Sequence, residues 1–122
     1  MSAVLDASAL LAFVQDEPGG DVVEDALVEG ARCGAANWSE VAQRVLAAGR
    51  DWELVRALLA SYDLVVEPVS AEDGEWAALR WRRGEGLSLA DRLCLALGER
   101  EDADVLTADG AWGDGGRVRQ IR

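Results

Sequence analysis

Four carboxylates stand out among the 23 acidic residues of this 122-residue chain. Asp6 follows a short apolar run in VLDAS, and Asp109 follows another in LTADG. Glu40 in NWSEV and Asp91 in SLADR lie where helices are predicted to begin. If the four converge, two unit charges about 5 Å apart repel by roughly 3 kcal/mol at an effective dielectric of 20, so some acids protonate or a cation binds. Such oxygen ligands favour Mg²⁺ or Mn²⁺, which would hold a phosphate.

Each of these acids also has a purely structural interpretation. Asn37 with Glu40, and Ser88 with Asp91, have the spacing of a capping box, in which an acid three positions after the N-cap bonds back to its N–H. Negative charge in a first helical turn also suits the helix dipole, typically by about 0.3–1 kcal/mol. The other two acids have turn formation or N-capping as their alternative. The sequence leaves both interpretations open at each position.

Missing residue types restrict the chemistry further. The chain has no histidine, which excludes Ser-His-Asp and Cys-His nucleophile systems. It also has no lysine, which excludes a Schiff-base mechanism and a Walker P-loop. Cys33 and Cys94 form no CxxC motif, so two buried thiols are predicted rather than a disulfide or a zinc site. Carboxylates, with a metal ion, are the groups left to carry catalysis.

The overall charge and hydropathy set the expected surroundings. A net charge of −11 argues against a simple nucleic-acid coat, because phosphate binding usually needs a basic face. Bound cations and local arginines can override that sign, and eight of the twelve arginines lie from Arg80 onward. The apolar runs are shorter than the ~20 residues of a membrane span, and no basic signal-peptide segment precedes them. We therefore expect a cytoplasmic protein with no membrane partner.

Short apolar runs alternate with helical patterns along the chain. This alternation predicts a single α/β domain over residues 1–122 with a central, mostly parallel sheet. The predicted strands are 3–5, 31–36, 64–69 and 105–107, with an edge strand at 118–121. The predicted helices are 8–14, 22–28, 38–48, 52–61, 71–82 and 88–99. Because ligands bind at the carboxyl ends of such strands, this arrangement favours convergence of the four acids.

Four segments in this order, VLDASALLAF, NWSEV, LSLADRLCLAL and VLTADGAW, resemble the PIN domain family, especially the VapC-like toxins of type II toxin–antitoxin pairs. The resemblance covers nearly the whole chain, including the closing VRQIR. It implies an α/β/α sandwich and an endoribonuclease dependent on Mg²⁺ or Mn²⁺, with an RNA substrate such as tRNA or rRNA. It also implies a VapB-like antitoxin and a homodimer, for which a helical hairpin at 51–63 is a candidate surface.

The resemblance also assigns roles to particular residues. It implies that the catalytic and metal-binding residues are Asp6, Glu40, Asp91 and Asp109. Ser8 and Thr107 match polar positions that orient a carboxylate or a metal-bound water, with ordinary helix-start and strand-end hydroxyls as the alternative. Gly110 departs from the family, where related toxins often carry a basic residue. Arg92 is a candidate replacement as a phosphate contact, the alternative being an ordinary surface arginine.

Two other functions compete with the nuclease. A PIN-fold binding module with weak or no cleavage would share the scaffold, although acids at all four positions argue against complete loss of activity. A receiver-like phosphoacceptor would use Asp6 after the first strand but normally needs a lysine, which this chain lacks. Trp38, Trp76 and Trp112 are predicted to be packing residues rather than base-stacking platforms.

Overall fold

The structure is a computed structural model that describes residues 2–122. Across these residues the chain alternates between helices and parallel strands. Its strands are β1 (Ala3–Leu5), β2 (Ala31–Gly34), β3 (Val65–Glu67), β4 (Val105–Thr107) and β5 (Val118–Gln120). Its helices are α1 (Ala7–Val14), α2 (Gly20–Glu29), α3 (Ala35–Ala47), α4 (Trp52–Ser61), α5 (Ala71–Arg80) and α6 (Leu89–Glu101). A 3₁₀ turn at Gly110–Trp112 lies between β4 and β5.

The strands form one sheet in the order β3-β2-β1-β4-β5, and every neighbouring pair is parallel. This confirms the predicted α/β class with a mostly parallel sheet. The chain first builds outward from β1 to β3 and then crosses to β4 on the other side of β1. The strand order therefore reverses between β1 and β4. These two strands are neighbours, with Val4 of β1 in register with Val105 of β4. Parallel α/β sheets bind ligands in the crevice at such a switch point.

Helices cover both faces of the sheet, because successive strand residues point to opposite sides. Leu5 joins a core cluster with Leu10 of α1 and Val41 of α3, whereas Val4 joins another with Cys94 and Leu97 of α6. Cys33 and Cys94 are buried free thiols, as predicted. No helix among residues 2–122 has the length and apolar character needed to cross a membrane.

Most predicted elements differ from the structure by one to three residues at an end, and three differences have a physical explanation. Helix α3 begins at Ala35 with Gly34 as its N-cap, because the small residues expected to extend the strand are equally good helix formers. Strand β3 is three residues long and exposed, since an edge strand lacks a second neighbour. The segment 51–63 is a single capped helix, α4, rather than a hairpin.

Candidate active site

A cleft of about 420 Å³ opens at the switch point of the sheet. All four acids singled out in the sequence line this cleft, which is called the acidic cleft below. Their neighbours in its wall include a serine from α1, the N-cap of α6 and two arginines: Ser8, Ser88, Arg44 and Arg122. The structure thus brings together carboxylates that are up to 103 positions apart, from Asp6 to Asp109.

Asp6 caps α1 and is buried at the floor of the acidic cleft. Its Oδ1 accepts a hydrogen bond from the backbone N–H of Ala9 at 2.8 Å. The hydroxyl of Ser8 donates to Oδ1 at 2.8 Å, and the hydroxyl of Thr107 donates to Oδ2 at 2.6 Å. Only 4% of Asp6 is exposed. The capping interpretation is therefore correct for Asp6, and it coexists with a position inside the cleft.

Ser8 and Thr107 also bind the backbone that follows β4. Ser8 Oγ accepts from the N–H of Ala108 at 2.9 Å, and Thr107 Oγ1 accepts from the N–H of Asp109 at 3.0 Å. The two hydroxyl oxygens lie 3.2 Å apart. These contacts join the carboxyl end of β1 to that of β4 and fix the orientation of the Asp6 carboxylate.

The surroundings of Asp6 favour its protonated form. Burial raises the pKa of Asp6 to about 6, although hydrogen bonds from Thr107, Ala9 and Ser8 lower it. The nearby charge of Asp91 raises it further. A buried carboxylate that is short of positive charge is a group that a bound cation would return to its ionised form.

Glu40 lies on α3, where Asn37 holds it. Asn37 Nδ2 donates to Glu40 Oε1 and to the carbonyl of Ala90, both at 3.2 Å. The predicted N-cap role of Asn37 is therefore wrong, because the helix begins earlier and the buried amide connects α3 to α6. Burial raises the pKa of Glu40, and the charge of Asp91 adds to that rise.

Asp91 belongs to a complete capping box at the start of α6. Its Oδ2 accepts from the Ser88 N–H at 2.9 Å, and the Ser88 hydroxyl accepts from the Asp91 N–H at 3.1 Å. Helix α5 begins with the same box, formed by Ser70 and Asp73. Asp73 is additionally paired with Arg100 at 3.1 Å, which holds its pKa below the usual range. Within residues 2–122, Asp91 has no such ion pair, and it faces the acidic cleft.

Asp109 completes the acidic wall from the end of β4. Its Oδ1 accepts from the Ala111 N–H at 2.9 Å and so caps the 3₁₀ turn. The side chain is exposed, which leaves its other oxygen accessible from the cleft. Asp109 is thus a local turn former, as one of its two interpretations predicts, and it also lines the acidic cleft.

Arg92 requires a correction, because it does not line the acidic cleft. Its Nη1 donates to the carbonyl of Ala77 at 2.6 Å, which directs the guanidinium towards α5. The arginines in the cleft are instead Arg44 and Arg122. Arg44 lies four positions after Glu40, on the same helical face, so the sequence carried a signal for it. Arg122 reaches the cleft only because β5 lies beside β4.

The donor chemistry of the cleft fits a hard divalent cation. Carboxylate oxygens are the ligands that Mg²⁺ and Mn²⁺ prefer. Within residues 2–122, no three acidic side chains are close enough to hold one ion between them. Mg²⁺ commonly keeps several waters and uses one or two carboxylates together with substrate phosphate. The arrangement therefore suits a hydrated ion better than an all-protein cage.

Comparisons with known proteins agree with the architecture. The sequence model described as "PIN domain" matches residues 3–115. A toxin–antitoxin complex from Klebsiella pneumoniae has a similar structure, with a TM-score of 0.81 and 18% identity over 99% of this chain and 98% of the other. Mycobacterium tuberculosis VapC20, a Sarcin-Ricin loop cleaving toxin, has a TM-score of 0.72 and 20% identity over 97% and 99% of the chains. Curated protein sequences give no significant match. At these identities, the solved structures establish a shared fold.

Proposed function

Because the chain belongs to the PIN domain family, we propose that it is a metal-dependent endoribonuclease toxin that hydrolyses RNA phosphodiester bonds. The observation that carries this proposal is the meeting of four carboxylates in one cleft at the switch point of the sheet. The two structural neighbours support it, since one is a toxin–antitoxin complex and the other a Sarcin-Ricin loop cleaving toxin.

The proposed catalytic and metal-binding residues are Asp6, Glu40, Asp91 and Asp109, with Mg²⁺ or Mn²⁺ as the cofactor. When bound, such an ion supplies a more acidic water and neutralises charge that develops on the scissile phosphate. Ser8 and Thr107 keep the Asp6 carboxylate oriented towards the cleft. Below a pH of about 6, Asp6 holds a proton and becomes a poorer ligand.

Substrate phosphates would enter beside the two arginines of the cleft. Arg44 lies on the same helix as Glu40, and its charge partly offsets the rise that burial causes in the pKa of that acid. Arg122 is held by the carbonyl of Pro18 at 3.0 Å, so its position is partly fixed. Guanidinium groups bind phosphate oxygens well, often in pairs. We assign them the phosphate contact expected of Arg92.

The proposed partners are a VapB-like antitoxin and a second copy of the chain. An arginine from the antitoxin, inserted among the carboxylates, would take the place of the metal charge and so inhibit the toxin. For the homodimer we propose α4, where Leu54 and Leu58 are 69% and 41% exposed. We further propose that the protein acts in the cytoplasm, where its RNA substrate is found.

The test is incubation of the purified protein with total RNA and with tRNA, in Mg²⁺, in Mn²⁺ or in EDTA. The proposal expects discrete cleavage with either metal, 5′-phosphate and 3′-hydroxyl ends, and no cleavage in EDTA. Cleavage that persists in EDTA would contradict the metal-dependent mechanism. RNA that is bound but never cut would instead favour the alternative, a PIN-fold binding module. Within residues 2–122, the absence of three acidic side chains close enough to share one ion is the observation that favours this alternative.

A further inference from the structure

A second cavity, of about 350 Å³, is lined in part by residues next in sequence to residues of the acidic cleft. At two places, residues close in sequence line different cavities. Leu87 lines the second cavity and Ser88 the acidic cleft, while Asp109 lines the cleft and Ala111 the second cavity. Because consecutive Cα atoms are only about 3.8 Å apart, the backbone at Leu87 and Ser88 lies at the border between the two cavities.

The walls of the second cavity combine aromatic and aliphatic side chains with charged ones. Trp76 of α5 and Trp112 of the 3₁₀ turn line it, together with the side chains of Leu87 and Leu95. Both side chains are half-buried. Trp112 packs against the core cluster that contains Cys94 and Leu97, as predicted, and within residues 2–122 its buried Nε1 has no hydrogen-bond partner. Flat aromatic rings in a cavity are suited to stacking on the flat ring of a nucleic-acid base.

The charged groups of this cavity are already paired with each other. Arg80 donates through Nη1 and Nη2 to the two carboxylate oxygens of Glu85, at 2.7 and 2.9 Å. Arg117 Nε lies 3.4 Å from Glu99 Oε1, and its Nη1 bonds to Asp102. The two arginines and two glutamates in the lining cancel in charge. A phosphate would have to break these pairs, whereas an uncharged ring with its own donors and acceptors would not.

We propose that this cavity binds the base of an RNA nucleotide next to the bond that is cut, a proposal that rests on the function proposed above. The base lies against Trp76 and Trp112, and its edge meets the Arg80–Glu85 and Arg117–Glu99 pairs. Guanine matches these groups best, because its O6 and N7 accept from arginine while its ring and amino N–H groups donate to carboxylate. The cavity would thus select the base beside the cleavage point.

A titration with the four free nucleosides tests the site without any need for catalysis. The indole N–H signals of the five tryptophans, followed by NMR, report on each ring separately. We expect guanosine to shift the signals of Trp76 and Trp112 and to leave Trp38, Trp52 and Trp81 unmoved. Unmoved Trp76 and Trp112 signals, or a shift confined to the exposed Trp81, would overturn the proposal.

Cleavage of a randomised single-stranded RNA pool, with the cut sites sequenced, tests the consequence for specificity. Wild-type protein should prefer guanine about tenfold or more at one position beside the cut. Trp76→Ala should lose this preference, and Trp81→Ala, a control outside the cavity, should keep it. If wild-type protein cuts the RNA pool with no base preference beside the cut, the base-binding proposal is overturned and the nuclease proposal stands. Guanosine binding without any RNA cleavage would overturn the nuclease proposal and leave the base-binding site in place.

Discussion

For a single residue, the partner of the second carboxylate oxygen distinguishes a structural acid from a candidate functional one. Asp73 and Asp91 have the same capping box, yet Arg100 neutralises only Asp73. Asp91 is left with a charge that raises the pKa of both Asp6 and Glu40. The capping role and the proposed metal-binding role of Asp91 are therefore compatible, because they use different oxygens.

Asp6 is expected to lower the stability of the metal-free protein at neutral pH. Its pKa rises from 3.8 to about 6 on folding, so the folded state binds the proton more tightly than the unfolded state. The contribution of this group to the free energy of unfolding is therefore greatest below pH 3.8 and falls as the pH rises through about 6. A shift of about two pKa units corresponds to about 3 kcal/mol.

The variant Asp6→Asn isolates this contribution, since asparagine is also a good N-cap. In EDTA at pH 7.5, we expect urea denaturation to show a more stable variant than wild type, by up to about 3 kcal/mol. The difference should narrow at pH 4.5. Added Mn²⁺ should stabilise wild type and not the variant. A variant that is less stable than wild type at pH 7.5 would refute the burial argument.

Helices α5 and α6 both begin with a capping box of serine and aspartate, so α5 provides a matched control for α6. Ser88→Ala and Ser70→Ala each remove the hydroxyl of a capping box, and each should lower the free energy of unfolding by about 1 kcal/mol. Only Ser88→Ala loosens an acid of the cleft, so only that variant should slow RNA cleavage. Denaturation and cleavage rates at 20 °C or below check both parts. Equal loss of activity in the two variants would mean that the effect is only one of stability.

The close approach of α6 to β4 predicts that a side chain at Gly98 destabilises the protein. A Cβ added at Gly98 would overlap Cγ2 of Val105, whereas one added at Gly74 of α5 would meet nothing. Gly98→Ala should therefore destabilise the protein by about 1–3 kcal/mol. Gly74→Ala should stabilise it by about 0.5–1 kcal/mol, because glycine weakens a helix. Thermal denaturation of the two variants compares them directly, and similar effects would contradict the packing described.

Some features of the site can be predicted from the sequence alone, and others cannot. The strand-end acids Asp6 and Asp109 could be placed together, because parallel strands end at one edge of a sheet. The start of α3 could not be predicted from the sequence, since the alanines after β2 are compatible with a strand or a helix. The direction of Arg92 was equally out of reach, because helix spacing does not say which neighbour packs on that side. Those features depend on tertiary packing rather than on local pattern.

For the whole molecule, the net charge of −11 limits how RNA can bind. Most arginines form ion pairs with acids of the protein, as Arg32, Arg100 and Arg117 do. Under the proposed function, RNA recognition would therefore depend on local features at the carboxyl edge of the sheet, namely a bound cation, the cleft arginines and the second cavity. The organisation of residues 1–122 as one domain stays a prediction, consistent with the family match over 3–115.

If the carboxylates of the acidic cleft support metal-dependent RNA hydrolysis, removing the charge of one of them must slow the reaction. The most direct measurement is the initial rate of RNA cleavage by wild type and by Asp91→Asn, in Mn²⁺, at equal concentrations of folded protein. Asparagine keeps an oxygen for the Ser88 N–H and removes the charge, so the helix start should persist. We predict a loss of about 100-fold or more, as expected when several kcal/mol of charge stabilisation disappear. Cleavage by the variant at the wild-type rate would contradict the account.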